Sequence, residues 1–239
     1  MPDPHPAMAL TPAHVAFVHR DIPDTGPPPG MVLQTDADYA DWVQRILSSH
    51  PAPDRPTTLF AYGSLIWKPE LPHLAEKTAR ATGWHRAFCL RMIRFRGTPE
   101  RPGLMMALDR GGTCEGMLFT LPPEDLPGQL DRLFRREFTI KPINTMPQWI
   151  EVETASGPEM ALAFVVNPDS PSYTGVLPRG AVADTLATAC GHWGSGAEYL
   201  LHTVTHLQAK GIDDSDLWQL QKMVAARIEA KGCNQPRPR

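Results

Sequence analysis

Cysteine is scarce in this chain and poorly placed for cross-linking: Cys89, Cys114, Cys190 and Cys233 lie far apart and form no CxxC pair. With no charged-then-apolar leader at the N-terminus, a disulfide framework or a zinc site is not expected, and a cytoplasmic setting is. Runs of one charge sign are also missing. With 23 basic against 26 acidic residues and a net charge of -3 at pH 7, nothing favours nucleic acid or an anionic membrane surface as a partner. No apolar run reaches the roughly 18 residues that a membrane span needs.

Several chemical signatures are absent as well. Gly191 to Gly196 is glycine-rich but lacks the Lys-Ser/Thr ending of a phosphate loop, and is expected to be a helix-to-helix loop. Ser64 is not framed as Gly-x-Ser-x-Gly, since Tyr62 and Ile66 stand where the glycines belong. His202 and His206 have the spacing of two metal ligands, but Thr-Val-Thr lies between them and no third ligand is evident. They read as helix-surface histidines. A metal site is not expected, and no nucleotide site is claimed.

What is present is 42% apolar residues in a chain of 239, enough to fill a core. Proline punctuates it. Residues 1–35, with Pro23, Pro27, Pro28 and Pro29, show no sustained period and are expected to form a largely irregular arm. A single domain is expected over residues 36–232, followed by a short tail at 233–239. From Asp36 to Ser49, Tyr39, Trp42, Val43, Ile46 and Leu47 recur at helical spacing after the cap candidates Thr35 and Asp36. Short strands are expected at Leu59, Gly83 to Leu90, Leu104 to Leu108, Gly116 to Leu121, Ile150 to Thr154 and Met160 to Val166. Helices follow at Ala181 to Ala189, Ala197 to Ala209 and Asp214 to Ala230. Strands first and helices afterwards predict an α+β fold, a small curved antiparallel sheet or β-barrel flanked by helices.

Two features carry chemistry. In Leu59-Phe60-Ala61-Tyr62-Gly63-Ser64-Leu65-Ile66-Trp67 a strand-like run is broken by Gly-Ser, and a glycine there suits positive φ or a close approach of backbone to a ligand. Exposed N–H groups at such a turn can bind a carboxylate or an oxyanion; an ordinary strand end is the plainer reading. The second feature is Glu137. It continues the stripe of Leu126, Leu130, Leu133 and Phe134 on a helix expected over Pro122 to Phe138, with Arg132, Arg135 and Arg136 diverging from it. A carboxylate on an inward face is a candidate general base, or simply the partner of a neighbouring arginine. Arg91, Arg94 and Arg96 can attract an anion, although a solvated strand edge is the plainer reading for them.

Taken together, Ala61 to Trp67, Gly83-Trp84-His85-Arg86-Ala87-Phe88-Cys89-Leu90-Arg91 and Arg136-Glu137 resemble the ChaC family of γ-glutamylcyclotransferases. A looser similarity runs from Asn167-Pro168 through Tyr173-x-Gly175 and over Ala197 to Leu201. The resemblance implies a small β-barrel flanked by helices, no cofactor, and conversion of glutathione, a small-molecule substrate, to 5-oxoproline and cysteinylglycine. It implies Glu137 as the catalytic group and Ala61, Tyr62, Gly63, Ser64, Leu65, Ile66 and Tyr173 as substrate-binding. Two departures stand out: Ala61 replaces the family's usual glycine, and Phe138 to Pro147 is longer than the usual loop and lacks its tyrosine. Lys141, the charged side chain of that loop, is a candidate for the glycine carboxylate of glutathione. Another γ-glutamyl amide as substrate, or a non-catalytic protein of the same fold, is the alternative.

Overall fold

The computed structural model describes residues 7–233; the first six residues of the expected arm and positions 234–239 of the expected tail lie outside it, as does the side chain of Cys233. Along the chain the elements are α1 (Pro12–Val18), β1 (Val32–Leu33), α2 (Asp36–Ser48), β2 (Thr58–Ala61), α3 (Ser64–Trp67), β3 (Ala75–Met92), β4 (Gly103–Thr120) and α4 (Leu126–Glu137). They continue with β5 (Ile140–Lys141), β6 (Thr145–Thr154), β7 (Gly157–Val166), α5 (Arg179–Leu186), β8 (Cys190–Gly191), β9 (Gly194–Ser195), α6 (Gly196–Ala209) and α7 (Ser215–Cys233). Two compact units share this chain. Among the described residues, one holds those up to Gly26, Phe88–Met105 and those from Val176 onward; the other holds Pro27–Ala87 and Met106–Gly175.

Five strands close into a barrel in the order β2-β4-β3-β6-β7. The sheet is not antiparallel throughout, as the sequence had suggested, because β2 and β4 both run parallel to β7, at Leu59↔Leu162 and Leu108↔Val165. An odd number of strands cannot alternate in direction all the way around a ring. All four β2 residues are buried; Leu59 to Ala61 are apolar, and the Thr58 hydroxyl donates to Met160 O at 3.0 Å. β6 and β7 form a hairpin in register from Thr145↔Val166 to Thr154↔Gly157.

The segments expected as separate strands at Leu104 to Leu108 and Gly116 to Leu121 are one strand, β4. Its exposed centre, Arg110 to Thr113, imitates a loop, and Gly111 (φ +97°) and Gly112 (φ +69°) supply the bend that side chains disfavour. The proline-rich N-terminal segment contains α1, which begins with Pro12 at its first turn behind a Thr11 cap whose hydroxyl lies 2.8 Å from His14 Nδ1. It also contributes β1, paired with β5.

In the other unit, α5, α6 and α7 appear where the helical period placed them. The buried Gln221 side chain accepts the Leu10 N–H at 2.8 Å. The Gly191 to Gly196 loop includes a small antiparallel pair, Cys190↔Ser195 and Gly191↔Gly194, and Ser195 caps α6 by accepting the Glu198 N–H at 3.1 Å. Arg96 is not on a solvated edge. It is buried, donates to Ser195 O and Glu198 Oε2 at 2.9 Å each, and lies over the Tyr199 ring at 5.4 Å. Arg94 is paired with Asp24 at 2.7 Å.

Candidate active site

α4 carries Glu137 on its last turn. Leu130, Leu133 and Phe134 are buried along the inward stripe that the spacing predicts, while Leu126 is half-exposed. The helix starts at Leu126 rather than near Pro122, because residues 123–125 form a bend and turn ending in a left-handed Asp125, and the carbonyls of Pro122 and Glu124 accept from the buried Gln129 amide. Phe134 and Phe138, on either side of Glu137, pack against Phe164 of β7 with ring centroids 6.0 and 6.4 Å apart.

The Glu137 side chain is 18% exposed, and burial pushes its carboxyl up to about 7. The nearby Glu70 charge adds to that rise and Arg136 opposes it. Arg136 does not diverge from Glu137, as the helical spacing had suggested. Its Nε lies 3.3 Å from Glu137 Oε1, while its Nη1 donates to the Lys68 carbonyl and sits 3.1 Å from Glu70 Oε2. Lys68 Nζ in turn holds Glu70 at 2.9 Å. One guanidinium is thus divided between three acceptors, which limits how far it can lower the Glu137 pKa.

β2 delivers the glycine turn to the same neighbourhood. Tyr62 is buried and its hydroxyl donates to the Phe164 carbonyl at 2.8 Å, the residue whose ring packs on Phe134 and Phe138. Gly63 is buried with φ -138°, so it does not take the positive φ that the sequence allowed; Ala61, extended and paired with Met117, does not either. α3 follows at once, with Ile66 N–H on Gly63 O at 2.9 Å and Lys68 N–H on Ser64 O at 2.8 Å. The first N–H groups of any helix lack intrahelical acceptors. Leu65 and Ile66 bury their side chains at 5% and 6% exposure, leaving backbone as what this turn can offer a ligand, with Ser64 half-buried beside it.

Two chains of contacts link the Glu137 end of α4 to the segment around Gly63: Tyr62 through Phe164 to Phe134 and Phe138, and Lys68 after α3 to Arg136. Tyr173 is placed further along. Its hydroxyl donates to Asp109 Oδ2 at 2.9 Å, and Asp109 follows Leu108, whose partner Val165 adjoins Phe164. Lys141 is committed elsewhere, 2.5 Å from Asp38, whose carboxyl is held down to about 2 by Lys141 and Thr35. On α6, His206 Nδ1 lies 2.7 Å from His202 O, and no cluster of three metal-ligating side chains occurs among the described residues.

Arg86 and Asp109 were missed by sequence reasoning as site-forming residues. Arg86 shares the alternation of the buried Trp84, Phe88 and Leu90 on β3, and a cation among inward-facing apolar positions is the signal that marks it. Asp109 is a buried carboxylate at the end of an apolar run.

The fold is that of the γ-glutamyl cyclotransferase structures: a crystal structure of a γ-glutamyl cyclotransferase specific to glutathione from yeast superposes with a TM-score of 0.64, covering 72% of this chain and 96% of that chain at 20% identity. Residues 58–227 match the ChaC-like protein family, and the chain belongs to that family. A glutathione-specific γ-glutamylcyclotransferase of Escherichia coli (strain K12) is 36% identical over 163 residues, 68% of this chain and 70% of the relative. The glutathione-specific γ-glutamylcyclotransferase 1 of Mus musculus is 30% identical over 165 residues, 66% of this chain and 72% of the relative.

Proposed function

We propose that this chain is a glutathione-specific γ-glutamylcyclotransferase of the cytoplasm, with Glu137 as general base and acid and the Ala61 to Ile66 turn as the seat of the γ-glutamyl group. The observation that carries the assignment of roles is the Glu137 carboxyl, raised to about 7 and tied to the turn through Arg136 and Lys68.

The substrate α-amine, with a reference pKa of about 8, is mostly ammonium at neutral pH and cannot attack. Ionised Glu137 takes one proton from it. The freed nitrogen adds to the γ-carbonyl carbon of the same molecule, forming the five-membered ring and placing negative charge on the carbonyl oxygen. Holding a flexible chain in this folded conformation removes much of the entropic barrier. The new bond costs the ring nitrogen a second proton, and collapse of the adduct breaks the bond to the cysteine nitrogen. Two protons leave the α-nitrogen and two reach the departing nitrogen, so one carboxylate that loads and unloads twice balances the reaction, with no water consumed. A pKa near 7 suits a group that must do both. Backbone N–H groups of Gly63 to Leu65 meet the anionic oxygens of the γ-glutamyl group. Tyr173, whose hydroxyl is held by Asp109, is the further substrate contact in this reading.

The test is incubation of purified protein with glutathione, with 5-oxoproline and cysteinylglycine quantified. Equimolar release of both supports the reading; no release from a folded protein removes it. Equal turnover of γ-glutamylalanine would broaden the substrate to γ-glutamyl amides in general.

A further inference from the structure

Arg86 of β3 places its guanidinium across two backbone carbonyls, with Nε donating to Tyr62 O at 2.6 Å and Nη2 to Glu115 O of β4. The Tyr62 carbonyl belongs to the peptide that links β2 to Gly63. A trans peptide is planar and its C=O and N–H point in opposite directions. A guanidinium holding Tyr62 O on one side therefore directs the Gly63 N–H to the other. The following peptide is fixed as well, because Gly63 O accepts the Ile66 N–H at 2.9 Å. Both peptides flanking Gly63 are thus set by hydrogen bonds to their carbonyls. Gly63 is buried, and its N–H meets no acceptor among the described residues, an uncommon state for a buried backbone donor.

We infer that Arg86 is a positioning residue for the cyclotransferase reaction: it locks the Tyr62–Gly63 peptide in the orientation that presents the Gly63 N–H to an anionic oxygen of the γ-glutamyl group. The inference rests on the reading under Proposed function. In the opposite orientation the Gly63 N–H turns away and Tyr62 O faces the ligand, where it repels an anion. Flipping this one peptide exchanges an attractive donor for a repulsive acceptor, and the Arg86 fork opposes the flip. Its bidentate reach matters. Lysine keeps the charge but gathers its donors on one nitrogen, without the planar fork that spans Tyr62 O and Glu115 O in fixed geometry.

The experiment compares wild type, Arg86→Lys and Arg86→Gln for glutathione turnover, thermal midpoint, and the Tyr62 13C′ and Gly63 15N resonances of selectively labelled protein. Removing one preorganised oxyanion donor costs about 10²-fold or more. The expected result is a fall in kcat/KM of that order in Arg86→Gln, incomplete recovery in Arg86→Lys, and displaced Tyr62 13C′ and Gly63 15N resonances in a protein that still melts cooperatively. A fall in kcat at constant KM identifies the oxygen as the one that becomes charged during reaction; a rise in KM identifies the α-carboxylate. Methylguanidinium, but not methylammonium, should restore part of the lost activity to Arg86→Ala. Turnover within threefold of wild type in Arg86→Gln, or unmoved Tyr62 and Gly63 resonances, overturns the inference. If wild type itself releases no 5-oxoproline, the functional reading fails, while the two resonances still decide whether Arg86 holds the peptide.

Discussion

Two arginine–glutamate pairs, one in each unit, show how the same two side chains serve different ends. In Arg96–Glu198 the guanidinium is 10% exposed and spends itself on one carboxylate, one carbonyl and one aromatic face, with an N–O distance of 2.9 Å. Glu198 is 32% exposed and keeps contact with water. In Arg136–Glu137 the distance is 3.3 Å, the guanidinium is divided between Glu137, Glu70 and the Lys68 carbonyl, and burial is the larger influence on the carboxylate. The first arrangement is a fastening. The second leaves a desolvated carboxylate incompletely compensated, which is what a base working near neutrality requires.

Breaking the second pair at its acid has the largest expected effect. Glu137→Gln should retain the fold and lose about 10² to 10⁴-fold in kcat/KM for glutathione, because the amide cannot carry a proton. Its stability should change in the opposite sense. A carboxyl raised from 4.5 to about 7 on folding favours the native state when protonated, an advantage fully present below pH 4.5 and lost as pH rises through 7. Glu137→Gln should therefore exceed wild type in stability at pH 8, by up to about 3 kcal/mol, with the gap closing near pH 4 in urea titrations.

Breaking the first pair should act on folding. Arg96→Ala leaves Glu198 and Ser195 O without their donor and should cost about 2 kcal/mol, less than a fully buried pair because Glu198 is 32% exposed. Denaturant midpoints check this. Arg136→Gln sharpens the contrast more finely: without the opposing cation the Glu137 pKa rises further, and the acid limb of kcat/KM should move up by about one unit. An unmoved limb would separate Arg136 from the base. The smallest effect belongs to Lys141→Ala, where the amine is occupied by Asp38; the KM for glutathione should change less than about twofold, an exposed ion pair being worth little.

Much of this was legible in the sequence because local period reports burial. Leu130, Leu133, Phe134 and Glu137 share a face in any α-helix, and the apolar run broken at Gly63 marked the end of a buried strand. The length of β4 was hidden because its solvent-facing centre, Arg110 to Thr113, has the composition of a loop. Arg96 and Arg86 were hidden for a different reason: their acceptors are Glu198, Ser195 O, Tyr62 O and Glu115 O, tens of residues away or on the backbone, and no local pattern encodes them. Arg136 was misjudged because helical spacing fixes where Cβ points, and a long guanidinium can still return to its neighbour.

The most direct test of the central claim is the pH dependence of kcat/KM for 5-oxoproline release from glutathione by the wild-type protein. A desolvated Glu137 that must be ionised to accept the ammonium proton predicts an activity that falls below an apparent pKa near 7. A profile that stays flat down to pH 5, with its limb at an ordinary carboxylate value, would contradict it.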